Sequence, residues 1–146
     1  MIYLTVPGQP VAKQSAKFRG AITKDGKRYM RGYTPKKIVD YSVFIKELFA
    51  IKYPNFKPIE GAVSMDIYAY LTIPKSTSKK RKALMITGKI FHIVKPDEDN
   101  LKKNIYDALE KLAYNNDSHI VRSRFAKMYS ETPRVEIIIS EIKLDK

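Results

Sequence analysis

A chain of 146 residues, 44% hydrophobic and 29% charged, has enough apolar surface for one core and too little for two of ordinary size. The absence of cysteine excludes a disulfide framework, a thiolate zinc site and a cysteine nucleophile, and two histidines, His92 and His119, cannot furnish a histidine-rich metal centre. Lysine and arginine number 28 against 15 aspartates and glutamates, a formal charge of +13 that points first to nucleic acid as a polyanionic partner, with an acidic lipid surface or charge kept for solubility as the alternatives.

Ile2 to Val6 reads as a short strand stopped by the Pro7-Gly8 turn. From Lys13 to Arg31 positive charge alternates with glycine and aromatic residues: Lys13, Lys17, Arg19, Lys24, Lys27, Arg28 and Arg31, with Phe18 and Tyr29 among them. This composition suits a hairpin or flap that tracks phosphates and stacks on bases, or equally a solvated hairpin with no ligand. Thr34-Pro35 opens a helix, with Thr34 as cap and Pro35 at the first helical position, and Ile38, Tyr41, Ile45, Leu48 and Phe49 form its apolar stripe up to Tyr53-Pro54. Val63 to Ile73 is the clearest strand, with Val63, Met65, Ile67, Ala69 and Leu71 on one side. The run after Pro74 concentrates charge in Lys75, Lys79, Lys80, Arg81 and Lys82, a solvated face or a phosphate contact. Val135 to Ile142 closes the chain as a strand with Arg134 and Glu136 toward water.

The expected architecture is a single α+β domain over residues 1–146, a small mixed sheet packed by two main helices, with the strand order left open. No apolar run reaches the roughly 20 residues of a membrane span, and MIYLTVPGQP lacks the pattern of an export signal, so a cytoplasmic protein with no membrane contact is expected.

Chemistry concentrates in KPDEDNLKKNIYDALEKLAYNNDSHI. Pro96 disfavours helix at Lys95, and Asp99 or Asn100 would cap a helix whose buried stripe is Leu101, Ile105, Ala108, Leu109 and Leu112. Asp99, Lys103, Asp107 and Glu110 fall on the opposite face, at spacings that make surface ion pairs. Asp97 and Asp99 stand two residues apart, and clustered carboxylates repel unless a cation compensates. Magnesium accepts oxygen ligands and keeps several waters, so these two with Asp117 would suit it, provided the chain folds back to the start of the helix. Lys103, one turn beyond Asp99, could hold a phosphate oxygen or offset developing charge. The plain alternative makes Asp99 a cap and the remaining charges exposed ion pairs.

Lys95-Pro96-Asp97-Glu98-Asp99-Asn100-Leu101, then Lys103, Asp107-Ala108-Leu109 and Asn116-Asp117-Ser118-His119-Ile120, resembles the KPD-x-DNL-x-K, DAL and DD-x-x-I signature of the RusA family of Holliday-junction resolvases. Weaker similarity extends to Gly8-x-Pro10-x-x-Lys13, the Lys-rich stretch after Pro74 and Lys127-x-Tyr129. The resemblance implies a homodimeric, Mg2+-dependent endonuclease that nicks four-way DNA junctions in strands of like polarity. It assigns Asp97, Asp99 and Asp117 as essential carboxylates and metal ligands, and Lys103 as the lysine of the catalytic site. Lys13, Lys17, Arg19, Lys79, Lys80, Arg81 and Lys82 are the corresponding candidates for contact with DNA. Asn116-Asp117 departs from the usual acidic pair, leaving Asp117 alone as the carboxylate, and Gln14 and Ser15 replace frequent basic residues, which leaves the DNA-contacting set open. The rival readings are a non-catalytic basic nucleic-acid-binding protein and a nuclease acting on other branched DNA.

Overall fold

A computed structural model describes residues 1–14 and 17–144, with only the backbone described at 17–19. In chain order the elements are β1 (Ile2–Pro7), β2 (Lys17–Ile22), β3 (Arg28–Tyr33), α1 (Lys36–Lys52), β4 (Ala62–Thr72), α2 (Lys79–Ile86), α3 (Glu98–Leu109), a single 3-10 turn (Asp117–His119), β5 (Ile120–Ser130) and β6 (Arg134–Ile142). The main sheet has four strands in the order β1-β6-β4-β5, and β2 and β3 form a separate antiparallel ribbon. The α+β architecture is as the sequence predicts, with α2 as a further short helix.

Strict alternation in β1, β4 and β6 turns every second residue into the core. Leu4, Val6, Met65, Ile67, Ile137 and Ile139 thereby pack against Tyr41, Ile45 and Phe49 of α1 and Ile105, Ala108 and Leu109 of α3. No helix among the described residues is long and apolar enough to cross a membrane. On the other sheet face Tyr68 and Tyr70 stay half-buried; the Arg134 guanidinium lies 3.8 Å from the Tyr70 ring centroid and pairs with Glu136 at 3.0 Å. Arg134 and Glu136 thus lean on the sheet and each other instead of standing free in water.

One other expectation needs correction, and two elements lie beyond those the sequence predicts. Pro35 occupies the N-cap of α1 and no side chain caps that helix, so Thr34 does not play the role its type suggested. The charge run after Pro74 is helical, because Ser78 accepts a hydrogen bond from the Arg81 backbone N–H at 3.3 Å and starts α2. The strand β5 has no counterpart among the predicted elements, since IVRSRFAKMYS lacks the alternation that marks β4; it lies at the sheet edge, where polar positions are tolerated.

β4 and β5 are parallel, whereas β4 and β6 are antiparallel. A parallel pair requires a long crossover, and here that crossover carries α2 and α3. The helix bearing the acidic motif therefore runs back along the sheet between two strands that run the other way.

Candidate active site

The chain enters α3 through Pro96, and Asp97 takes the N-cap position with φ −71° and ψ 146°. Its backbone carbonyl accepts from the Leu101 N–H at 3.2 Å, yet its carboxylate makes no capping hydrogen bond. The cap is thus Asp97 and not Asp99 or Asn100, and the Asp97 side chain remains exposed. Glu98 and Asp99 occupy the first turn, where the positive end of the helix dipole favours negative charge. Asp99 lies 3.8 Å from the Lys103 ammonium, and both side chains are 63% exposed. Water screens such a pair, so both groups are available to a ligand.

This corner is held from two sides. Asn104, buried on the apolar stripe, donates from Nδ2 to the Val11 carbonyl at 2.9 Å, and the Lys13 N–H donates to the Asn100 carbonyl at 2.9 Å. The Lys13 ammonium pairs with Asp107. Between these segments runs a groove of about 520 Å3 lined by Ala12, Lys13, Gln14, Lys95, Pro96, Asp97 and Asn100, with a carboxylate on one wall and ammonium-bearing residues on both. From the sheet, Lys127 of β5 donates to the carbonyls of Val94 and Pro96, each at 2.9 Å.

Lys127 and Asn104 are the residues that sequence reasoning left without a role. Their available signals are a polar residue inside an apolar stripe and a lysine inside the run Phe125-Ala126-Lys127-Met128. Lys127→Met is expected to strand two carbonyls beside Asp97, costing about 1–3 kcal/mol of stability by urea titration, while Lys127→Arg recovers much of it. His92 is buried against Tyr129, with ring centroids 4.7 Å apart, and burial followed by the nearby Lys127 charge lowers its pKa. That packing gives His92 a structural place against β5.

Asp117 sits elsewhere. Asn116 accepts from the Ser118 N–H at 2.8 Å and starts the 3-10 turn that leads into β5, leaving Asp117 exposed. Its neighbour is the buried Tyr114, whose hydroxyl donates to the Tyr106 carbonyl at 2.7 Å. Burial first, then the nearby Tyr106, Asp117, Glu110 and Asp107, drive the Tyr114 pKa upward and keep that phenol protonated. Asp117 therefore belongs to the C-terminal end of α3, whereas Asp97 and Asp99 belong to its start. Among the described residues no three acidic or histidine side chains converge as metal ligands.

The basic candidates divide by location. Lys17 and Arg19 lie in β2 opposite Tyr33 and Arg31, but their side chains fall outside the described residues. Arg28, Tyr29 and Arg31 of the facing strand are exposed. Lys79, Lys80 and Arg81 crowd the first turn of α2 with no acidic residue there, an arrangement that works against the helix dipole and that a bound phosphate would relieve. Lys82 pairs with Glu131 at 2.6 Å.

Over residues 7–140 the chain matches the family described as endodeoxyribonuclease RusA. It is also 40% identical over 146 residues to the uncharacterized protein YqaN of Bacillus subtilis (strain 168), covering 97% of this chain and 96% of that one.

Proposed function

The chain belongs to the endodeoxyribonuclease RusA family, and from that premise we propose that it is a Mg2+-dependent endonuclease that resolves four-way DNA junctions as a homodimer by paired phosphodiester hydrolysis. The observation that carries this reading is the start of α3: two exposed aspartates two residues apart, of which the first, with a carboxylate that does no capping, lines a groove together with Lys13 and Lys95.

The donor set suits a hard cation, because Asp97 and Asp99 offer only oxygen and stand clear of buried ion pairs. Asp97 and Asp99 would hold the metal, and the family resemblance adds Asp117, which in this chain stands beyond the other end of α3. A magnesium ion bound there would make an attacking water more acidic and polarise the scissile phosphate. Lys103, released from its long contact with Asp99, offsets charge gained by the phosphate oxygens in the transition state. The ribbon of β2 and β3 and the first turn of α2 supply salt-sensitive hold on the backbone, so junction preference comes from shape more than from bases.

Lys103→Ala is expected to lower turnover by about 10²-fold and to change junction affinity much less; equal losses would make Lys103 a binding residue only. Substrate choice is tested by comparing four-way, three-way and linear DNA at one salt concentration. Preferential paired nicking of the four-way form is expected, and equal cleavage of all branched forms would replace resolution by a broader branched-DNA activity.

A further inference from the structure

We propose that the apolar segment between α2 and α3 is the part of the molecule that reads the branch: Phe91 and Ile93 enter the gap in the base stack where DNA strands part, beside the strand held at Asp97 and Asp99. This rests on the nuclease reading above and assigns the choice of branched substrate to a surface outside the acidic motif.

Single apolar side chains in water are ordinary, but a cluster marks a contact surface. Within the nine residues from Ile86 to Val94, four large apolar residues face solvent, Phe91 at 75% and Ile93 at 88% exposure. The segment is held at both ends. Gly88, with φ +77°, follows α2, and the N–H groups of Lys89 and Ile90 both donate to the Leu84 carbonyl, at 2.9 and 3.1 Å. His92 turns inward onto Tyr129, and the Lys127 ammonium donates to the Val94 and Pro96 carbonyls. Phe91 and Ile93 lie on either side of that inward anchor and are turned out by the same alternation that buries it. They are presented to a partner already ordered, so contact costs little further entropy.

Charge selects the partner. Between Pro74 and Asp97 the chain has no acidic residue, and Lys89 and Lys95 bracket the apolar stretch. A second copy of the chain would bring those lysines against their own counterparts. An acidic lipid surface would meet Asp97, Glu98 and Asp99, all exposed directly after the segment, and be repelled. A DNA strand suits both neighbours, with phosphates on the lysines, bases on the apolar side chains and a cation between phosphate and carboxylates.

The reach fits as well. Ile93 is four residues before Asp97, at most about 14 Å along an extended chain, or about four base steps of roughly 3.4 Å. A nick at Asp97 and Asp99 therefore falls within a few nucleotides of the step that the apolar side chains enter. Phenylalanine and isoleucine are among the side chains that proteins drive between base steps. In linear duplex that insertion must break a stacked step, whereas at a branch the stack is already interrupted. The same two side chains thus favour junctions without reading sequence.

Binding in the absence of magnesium tests this apart from cleavage. A four-way junction carrying 2-aminopurine at a branch nucleotide, whose emission rises as it loses stacked neighbours, should brighten on adding the wild-type chain. The same base inside linear duplex should not. Phe91→Ala/Ile93→Ala should abolish the brightening and cut the preference for four-way over linear DNA by about 10-fold, with linear affinity and the urea midpoint unchanged. Phe91→Tyr should keep both, and Ile51→Ala, which removes an apolar side chain from a residue 78% exposed on α1, should behave as wild type. Wild-type brightening and preference in the double variant overturn the proposal, as does an equal loss of affinity for both DNAs. A double variant that sediments at half the wild-type mass makes the segment a contact between copies and overturns it too. Should the double variant unfold, Phe91→Ala and Ile93→Ala decide singly by the same readings. A wild type that brightens the junction but never cuts it in magnesium overturns the proposed function and leaves the insertion standing. Absence of brightening with the wild type overturns the insertion, and cleavage still decides the function.

Discussion

Replacing Asp97, Asp99 or Asp117 by asparagine is expected to reduce cleavage of a synthetic four-way junction in magnesium by more than about 100-fold, because even groups that merely orient metal ligands cost about 10- to 100-fold when lost. Asparagine preserves size and the helix start but removes the charge that draws a divalent cation. Junction binding without metal should be kept or slightly strengthened, since a negative charge facing phosphate has been removed from a chain of net charge +13. A gel-shift titration beside a cleavage time course separates the two quantities. Full cleavage by any one variant removes that residue from the site, whereas parallel loss of binding and cleavage would mean that the substitution has disturbed the fold.

The largest stability effect should come from the centre of the sheet. Ile67 is 1% exposed on β4, the strand hydrogen-bonded on both sides, and it packs in the cluster that α1 and α3 cover. Ile67→Ala is expected to cost about 2–5 kcal/mol, a large share of the roughly 5–15 kcal/mol that holds a domain of this kind together. Urea unfolding should show the midpoint falling with an unchanged slope. Ser64→Ala, on the same strand but the opposite face, should stay within about 0.5 kcal/mol. Similar losses at both positions would mean that the open face is packed as tightly as the helical one.

Much of this fold is legible in the chain itself. The period of two in Val63 to Leu71 and the helical spacing of Ile38, Tyr41, Ile45 and Phe49 arise because one face of each element is buried, so each forecast matched its element. β5 was silent for the opposite reason. With one edge free, its burial changes along its length rather than from residue to residue, and Arg122, Ser123 and Arg124 interrupt any pattern. The start of α3 was legible in part, because Pro96 and the two aspartates are local features, although the cap fell on Asp97 and not on Asp99 or Asn100. Its anchors were not: Lys127 reaches the carbonyls of Val94 and Pro96 from more than thirty positions away, and only the parallel crossover brings it there. The same crossover separates Asp117 from Asp97 by the length of a helix, a consequence of topology that spacing along the chain does not reveal.

The central claim, that paired aspartates at the start of α3 serve hydrolysis of branched DNA, is tested most directly by incubating the purified wild-type chain with an end-labelled four-way junction, with and without magnesium. Symmetrically placed nicks that appear only with the metal are the expected result. A chain that retains the junction in a salt-sensitive complex, yet yields no cut strand at any magnesium concentration, would be a binding protein whose acidic motif merely opens a helix.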